Sequence, residues 1–311
     1  VAFVHLVFGA LVRITGSGMG CGDHWPRCHG QWFPPLDRPD LIIEITHRWL
    51  AAFLGAWVLA LFLAAVARRR EAGVAGPGGV LRSSAAALAA VVAAGGFGAV
   101  TVRYGNPTWA TVVHWSIAMI VVATLVATVM RAGGFGASLA VPGTASARTV
   151  RGATIAAALA LAAVVLGGLT AKVPDGAVAC LAFPHCGTNP DAAAGAVHTQ
   201  LTHRIIAFLL FFHYVGLVMA LRRRRESPVV TRAAWLGFAV VLAQLLVAGA
   251  MIGMKLPTAL RSLHEAVGVL VWLTSFALVS LARRAARQAA AVSAPAGAPW
   301  DAERRAAGVA R

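Results

Sequence analysis

Long uncharged apolar runs alternate with short polar segments along the whole chain. Eight such runs cover residues 1–12, 41–66, 84–102, 108–130, 153–171, 197–221, 233–254 and 263–281. A helix needs about 20 apolar residues to cross the hydrocarbon of a bilayer. Seven of the runs reach that length, and the first does not, so the first helix is expected to be incomplete. The runs are continuous rather than alternating, which predicts helices and not barrel strands. The expected fold is all-α: a polytopic membrane protein with eight transmembrane helices.

Charge then orients the pattern. Arg68, Arg69, Arg70 and Arg82 lie between spans two and three. Arg131, Arg148 and Arg151 lie between four and five, Arg222 to Arg225 and Arg232 between six and seven, and Arg283, Arg284 and Arg287 after eight. These are every second loop, so they are assigned to the cytoplasm of a cell-membrane protein with both chain ends inside. Composition agrees with this reading: of 311 residues, 59% are apolar and only 12% charged. The net charge of +16 would otherwise suggest nucleic acid. Basic cytoplasmic loops on an apolar chain account for it without such a partner, and the partner expected is the lipid bilayer.

An internal repeat is the next signal. Glu44-Ile-Thr-His47-Arg48 opens span two, and Gln200-Leu-Thr-His203-Arg204 opens span six. Cys28 precedes His47 by 19 residues, and Cys186 precedes His203 by 17. Later in each half comes a second intramembrane histidine, His114 or His264, at separations of 67 and 61 residues. The chain thus divides into a four-helix half at 1–135, a cytoplasmic linker at 136–151, a second four-helix half at 152–287, and a disordered cytoplasmic tail at 288–311 rich in Ala, Pro and Arg.

Ionisable groups inside a membrane are costly, so four histidines in a duplicated pattern point to function. All four fall within the first two turns of spans that enter from the outer face. Two helices that each offer one imidazole make a bis-histidine haem site, whereas zinc needs more donors than each pair supplies. No Cys-x-x-Cys-His occurs, so haem would be held non-covalently. The repeat pairs His47 with His114 and His203 with His264, although spacing alone leaves pairing across the halves open. Arg48 and Arg204, and Arg13, Arg103 and Arg261 at outer helix ends, suit either haem propionates or interfacial anchoring.

The halves differ at Glu44, which becomes Gln200. Among eleven acidic residues, only Glu44 and Glu265 adjoin the spans' membrane zone. Glu44 shares a helix face with His47, while Glu265 follows His264 directly and is turned about 100° from it. A carboxylate beside one haem can accept protons or steer an oxidised intermediate; an amide cannot. That makes the first site the reactive one and the second a conduit for electrons, unless Glu44 merely caps a helix start at the surface. Cys21 with Cys28 and Cys180 with Cys186 lie in outer loops, where disulfides persist. Each pair is expected to close a small loop over a haem site, as a structural clamp or as a redox partner. His24, His29 and His185 beside them hint weakly at copper. His5, His198 and His213 have no counterpart in the repeat and are assigned no role.

Thr15-Gly-Ser-Gly-Met-Gly-Cys21, Trp25-Pro26-Arg27-Cys28-His29-Gly30 and Glu44-Ile-Thr-His47-Arg48 resemble the haem A synthase family, in the branch with a Cys pair in each half. The likeness covers nearly the whole chain; Arg27 departs from the apolar residue usual before the second loop Cys. The resemblance implies an oxidoreductase of haem A biosynthesis. It would convert a methyl group of haem O to a formyl group, by two hydroxylations and loss of water, to supply terminal oxidases. It further implies haem O, the substrate, on His47 and His114 with Glu44 as the required carboxylate. A haem b cofactor would sit on His203 and His264, with iron as the metal at both sites. Pathway logic adds a haem O synthase and an unidentified electron donor as partners. Two rivals remain at this stage: a diheme b-type cytochrome taking electrons from quinol, and a haem carrier.

Overall fold

The computed structural model describes residues 1–134 and 143–293, with side chains through Ala290. Among these residues eight α-helices follow one another: α1 (Ala2–Ile14), α2 (Pro39–Ala67), α3 (Val80–Arg103), α4 (Thr108–Arg131), α5 (Ala147–Lys172), α6 (Ala194–Arg224), α7 (Pro228–Gly253) and α8 (Thr258–Ser293). Helices α2 to α8 are each long and apolar enough to cross a membrane, while α1 has 13 residues. Phe53, Trp57 and Leu61 recur every fourth residue along α2 and are exposed. Such an apolar stripe suits lipid and not water.

Several helices outrun the apolar stretches that announce them. Helix α8 continues through Ser293, past the point at 288 where a disordered tail is expected from composition. Its last turns are Ala- and Arg-rich, and both residues are good helix formers that need no hydrophobic partner. The remaining tail residues, 294–311, and residues 135–142 of the expected linker lie outside the described residues. The last five residues of that linker belong to the first turns of α5.

The helices pack as two rings. In the first, α1 meets α2, α2 meets α3, α3 meets α4 and α4 meets α1; α5 to α8 repeat the circuit. Contacts between the rings are α1 with α8, α4 with α5, and α4 with α8. Exchanging the halves maps this set onto itself, so the two rings are related by a pseudo-two-fold axis between α4 and α8. Helices α2 and α4 lie diagonally across the first ring, and α6 and α8 across the second. The Cys-containing segments and the starts of α2, α4, α6 and α8 therefore share one end of the molecule, and the arginine-rich connections share the other.

Small side chains draw the second ring tight. Ala153, Ala156 and Ala160 on α5 are fully buried, and their spacing of three and four puts them on one helix face. Two indoles stitch the halves together. The Trp272 N–H of α8 donates to the Met119 carbonyl of α4 at 2.9 Å, and the Trp115 N–H of α4 donates to the Val164 carbonyl of α5 at 3.3 Å.

At the arginine-rich end, Glu226 from the α6–α7 connection caps α5. Its carboxylate accepts from the Ser146 backbone N–H (2.9 Å), the Ser146 hydroxyl (2.5 Å) and the Thr149 hydroxyl (2.7 Å). An anion at a helix N-terminus with three donors is favourable. Burial pushes the Glu226 carboxyl up, but the hydrogen bonds from Ser146 and Thr149, with Arg224 nearby, together hold it below the usual carboxylate range. The stability it contributes is thus complete above that range and is lost as pH falls through the lowered value. Glu226→Ala should destabilise the detergent-solubilised protein by about 1–3 kcal/mol. Glu226→Gln should flatten the acid side of the plot of melting midpoint against pH, and an acid limb identical to that of the parent would contradict this role.

Candidate functional site

One cavity of about 680 Å³ opens inside the molecule and reaches both rings. His47, His114, His203 and His264 all line it. They lie six to nine residues into α4, α8, α2 and α6, which is roughly 9–14 Å from the helix starts at the Cys-loop end. Each repeat pair sits on diagonal helices, so its two imidazoles approach from opposite sides of a ring. Facing imidazoles of this kind could hold a haem between them.

Glycines make room for the rings. A Cβ on Gly9 of α1 would come within 2.9 Å of the His47 imidazole, and one on Gly167 of α5 within 3.1 Å of the His203 imidazole. Gly9 and Gly167 are 158 residues apart and occupy equivalent positions on equivalent helices. Their shared neighbourhood, Gly-x-Leu in both spans, carries this signal in the sequence, but only when spans one and five are aligned.

Two of the four imidazoles are tethered to main chain. His114 Nδ1 bonds the Ala94 carbonyl of α3 at 2.9 Å, and His203 Nδ1 bonds the Ala163 carbonyl of α5 at 2.9 Å. An Nδ1–H donated to a carbonyl fixes the tautomer and leaves the Nε2 lone pair available to a metal. The Nδ1 atoms of His47 and His264 are buried and have no hydrogen-bond partner among the described residues. Gln244 of α7, at the position equivalent to Ala94, takes a different part. Its amide donates to the His264 carbonyl at 2.9 Å and lies 3.3 Å from His264 Nε2.

Above each cavity half sits a disulfide-closed loop, Cys21–Cys28 in one and Cys180–Cys186 in the other. Both loops turn at a cis aromatic–proline bond two residues before the second cysteine, Trp25–Pro26 and Phe183–Pro184. The arginine after each α2 or α6 histidine holds its loop. Arg48 donates to the carbonyls of His24 (2.7 Å), Arg27 (3.0 Å) and Pro26 (3.2 Å). Arg204 donates to those of Ala182 (2.6 Å), His185 (2.8 Å) and Cys180 (3.3 Å). Both arginines also line the cavity.

Glu44 is buried, not a surface cap. One carboxylate oxygen accepts the Cys21 N–H at 2.8 Å and the other pairs with Arg48 at 2.5 Å. The charge is thus balanced on the spot, and Glu44 ties helix α2 to the first loop. Gln200 is also buried, but its carbonyl oxygen has no partner among the described residues. The loops differ in closure as well. Phe183 packs beside Phe208 and beneath Arg204, whereas Trp25 is 52% exposed and Trp32 46%, although both border the cavity.

The other sequence candidates sort by position. Arg13 of α1 forms an ion pair with Glu265 of α8, linking the halves at the cavity wall, and Arg261 lines the same wall. Arg103 instead pairs with Asp23 at 3.0 Å on the surface. His29 bonds the Gly20 carbonyl (3.0 Å) and its ring lies tilted against that of His24 (centroids 5.3 Å apart); His185 contributes its carbonyl to Arg204. His198 and His213 bond the carbonyls of Ala194 and Gly152. His5, assigned no role from the repeat, stands at the site: its ring stacks on that of His47 with centroids 4.3 Å apart. Nothing in a repeat-based reading could have found it, because the second half has Ala163 there.

Comparison with known proteins agrees with this architecture. The sequence model of the COX15-CtaA family, described as cytochrome oxidase assembly protein, matches residues 1–41 and 37–276. A protein of Geobacillus kaustophilus named heme A synthase is 30% identical over 309 residues, spanning 94% of this chain and 93% of its own length. One of the same name from Geobacillus thermodenitrificans is 28% identical over 306 residues, with 94% and 93% covered. Another from Bacillus licheniformis is 29% identical over 227 residues, with 71% and 72% covered. On the matched length, the paired loops and the doubled ring of helices, the chain belongs to the COX15-CtaA family of cytochrome oxidase assembly proteins.

Proposed function

We propose that this membrane enzyme oxidises haem O to haem A, converting one methyl group to a formyl group, with the reaction confined to the first ring. Haem O would be held between His47 and His114, and a resident haem b between His203 and His264. The observation that carries the division is the buried carboxylate of Glu44 one helical turn from His47, where the second ring has Gln200. A diheme electron carrier would have no use for that difference.

The donor sets fit the groups assigned to them. His114 and His203 present Nε2 with Nδ1 tethered, as metal-bound imidazoles usually do. At His264, coordination through Nε2 would replace the 3.3 Å contact with Gln244 and keep the amide's 2.9 Å grip on the backbone carbonyl. Bound haem b supplies one-electron transfer at the second ring. Arg48 and Arg204 line the cavity while gripping the loops, which suits them to propionates at its outer edge.

Glu44 would then act as an oriented carboxylate, its charge balanced at rest by Arg48, placed to take up the proton released as the methyl carbon is oxidised. Arg48 holds that carboxylate in place, and through it the Cys21 loop. The exposed Trp25 and Trp32 over the first ring suit a substrate that must enter and leave. The packed Phe183 over the second suits a cofactor that stays. The basic connections support a cytoplasmic arginine-rich end with both chain termini inside, and the two haem sites would then lie near the outer face of the cell membrane. A haem O synthase would deliver the substrate, and an electron donor would re-reduce the second site.

Three measurements test these assignments in cells that also make haem O. Glu44→Gln should retain pigment at both sites while haem A, extracted and separated by chromatography, falls by roughly 100-fold; an undiminished yield would sink the role of the carboxylate. His203→Ala should remove the b-type low-spin spectrum, and persistence of that spectrum would rule out this ligand. Gly9→Ala should lower retention of haem O and spare haem b, and Gly167→Ala should do the reverse, because each added methyl displaces only its own imidazole. Loss of the wrong haem in either variant would contradict the assignment of the two rings.

A further inference from the structure

His5 and His47 form a near-parallel pair, with 13° between ring planes and 4.3 Å between centroids. In such a stack the ring nitrogens lie at the edges, so neither imidazole can donate to the other. Both Nδ1 atoms are in fact buried without a hydrogen-bond partner among the described residues. The equivalent imidazole of the second ring is held otherwise. His203 is bonded through Nδ1 to the carbonyl of Ala163, the residue that occupies the place of His5. The opposite imidazole of the first ring, His114, has its own tether to the Ala94 carbonyl.

A hydrogen bond to a main-chain carbonyl fixes both the direction and the tautomer of a ligand imidazole. A face-to-face stack fixes neither; it restrains tilt and leaves the ring free to slide in its own plane. We propose that His5 is a positioning residue that steadies His47 by ring contact in place of a main-chain tether. His47 is then the exchangeable ligand of the first site and His114 the fixed one. This rests on the reading that His47 and His114 hold haem O. An iron with two axial imidazoles has no open position, so an oxidant can reach it only after one ligand departs. The stacked, untethered ring can slide away from the iron, while the tethered one keeps the substrate seated. His5 supports the resting state of that ring without locking it.

The full-length protein purified with haem O bound gives readouts that do not depend on turnover. The low-spin signal of the second site serves in every variant as the record of correct folding. His5→Ala should raise the rate at which carbon monoxide captures reduced haem O by about 2-fold to 10-fold, the range an aromatic stack is worth. His5→Phe, which keeps a ring and discards both nitrogens, should return the rate to that of the parent. His47→Gly should keep haem O in a five-coordinate form that added imidazole converts to low spin, and His114→Gly should lose it. Unchanged capture in His5→Ala would overturn the proposal, as would a Phe variant that behaves like Ala, since His5 would then act through a nitrogen. Retention of haem O by His114→Gly and its loss by His47→Gly would reverse the assignment of the exchangeable ligand. A double His47→Gly, His114→Gly variant with normal haem O content would instead remove the underlying site, whatever His5 does.

Discussion

A guanidinium beside the membrane has five N–H donors and no acceptor, and in this fold two of them are used to hold a roof. Arg48 and Arg204 each follow a cavity histidine directly and each bind three backbone carbonyls of a disulfide-closed loop. Those loop carbonyls have no helix or sheet partners, so without the arginines they would be left unsatisfied at the edge of an apolar slab. One interaction therefore fixes three things: the loop over the cavity, the charge next to the imidazole, and the register of α2 or α6 beneath it. The rest of the site is arranged around that clamp.

Much of the architecture was legible in the sequence because a bilayer imposes a long, unambiguous pattern. Seven spans, the repeat, the four histidines and both cysteine pairs follow from apolar length and from spacing. What periodicity cannot convey is a contact that only one half makes. The stacking of His5 on His47 belongs to this kind, and so does the placement of Gln244 against His264. Sequence alone suits Arg48 and Arg204 to haem propionates or to anchoring, and the loop carbonyls they bind are not legible there because the loops carry no regular structure. Helix ends also escaped, since Ala- and Arg-rich turns such as the last of α8 continue past the lipid without an apolar signal. Glu44 was placed on the correct face, but its burial and its bond to the Cys21 N–H depend on a loop fold that spacing does not determine.

Departures from symmetry gather where the two rings meet the cavity. Position for position, Glu44 answers Gln200, His5 answers Ala163, Ala94 answers Gln244, and Trp115 answers Glu265. The last pair performs one mechanical task by two chemistries. Trp115 joins α4 to α5 through an indole hydrogen bond, and Glu265 joins α8 to α1 through its ion pair with Arg13. The frame thus keeps a two-fold pattern of packing, and the paired histidines and arginines with it, while these four pairs of cavity-lining residues differ between the halves.

All four histidines lie at the same end of the molecule, at similar depth along their helices. An electron passed from one ring to the other then travels parallel to the membrane surface. Work against the transmembrane voltage is done only by charge moved along the membrane normal, about 2.3 kcal/mol per elementary charge for each 100 mV. Transfer between the two sites carries almost no such component. Were haems held at both sites, exchange of electrons between them would be insensitive to the membrane potential, because the rings stand side by side.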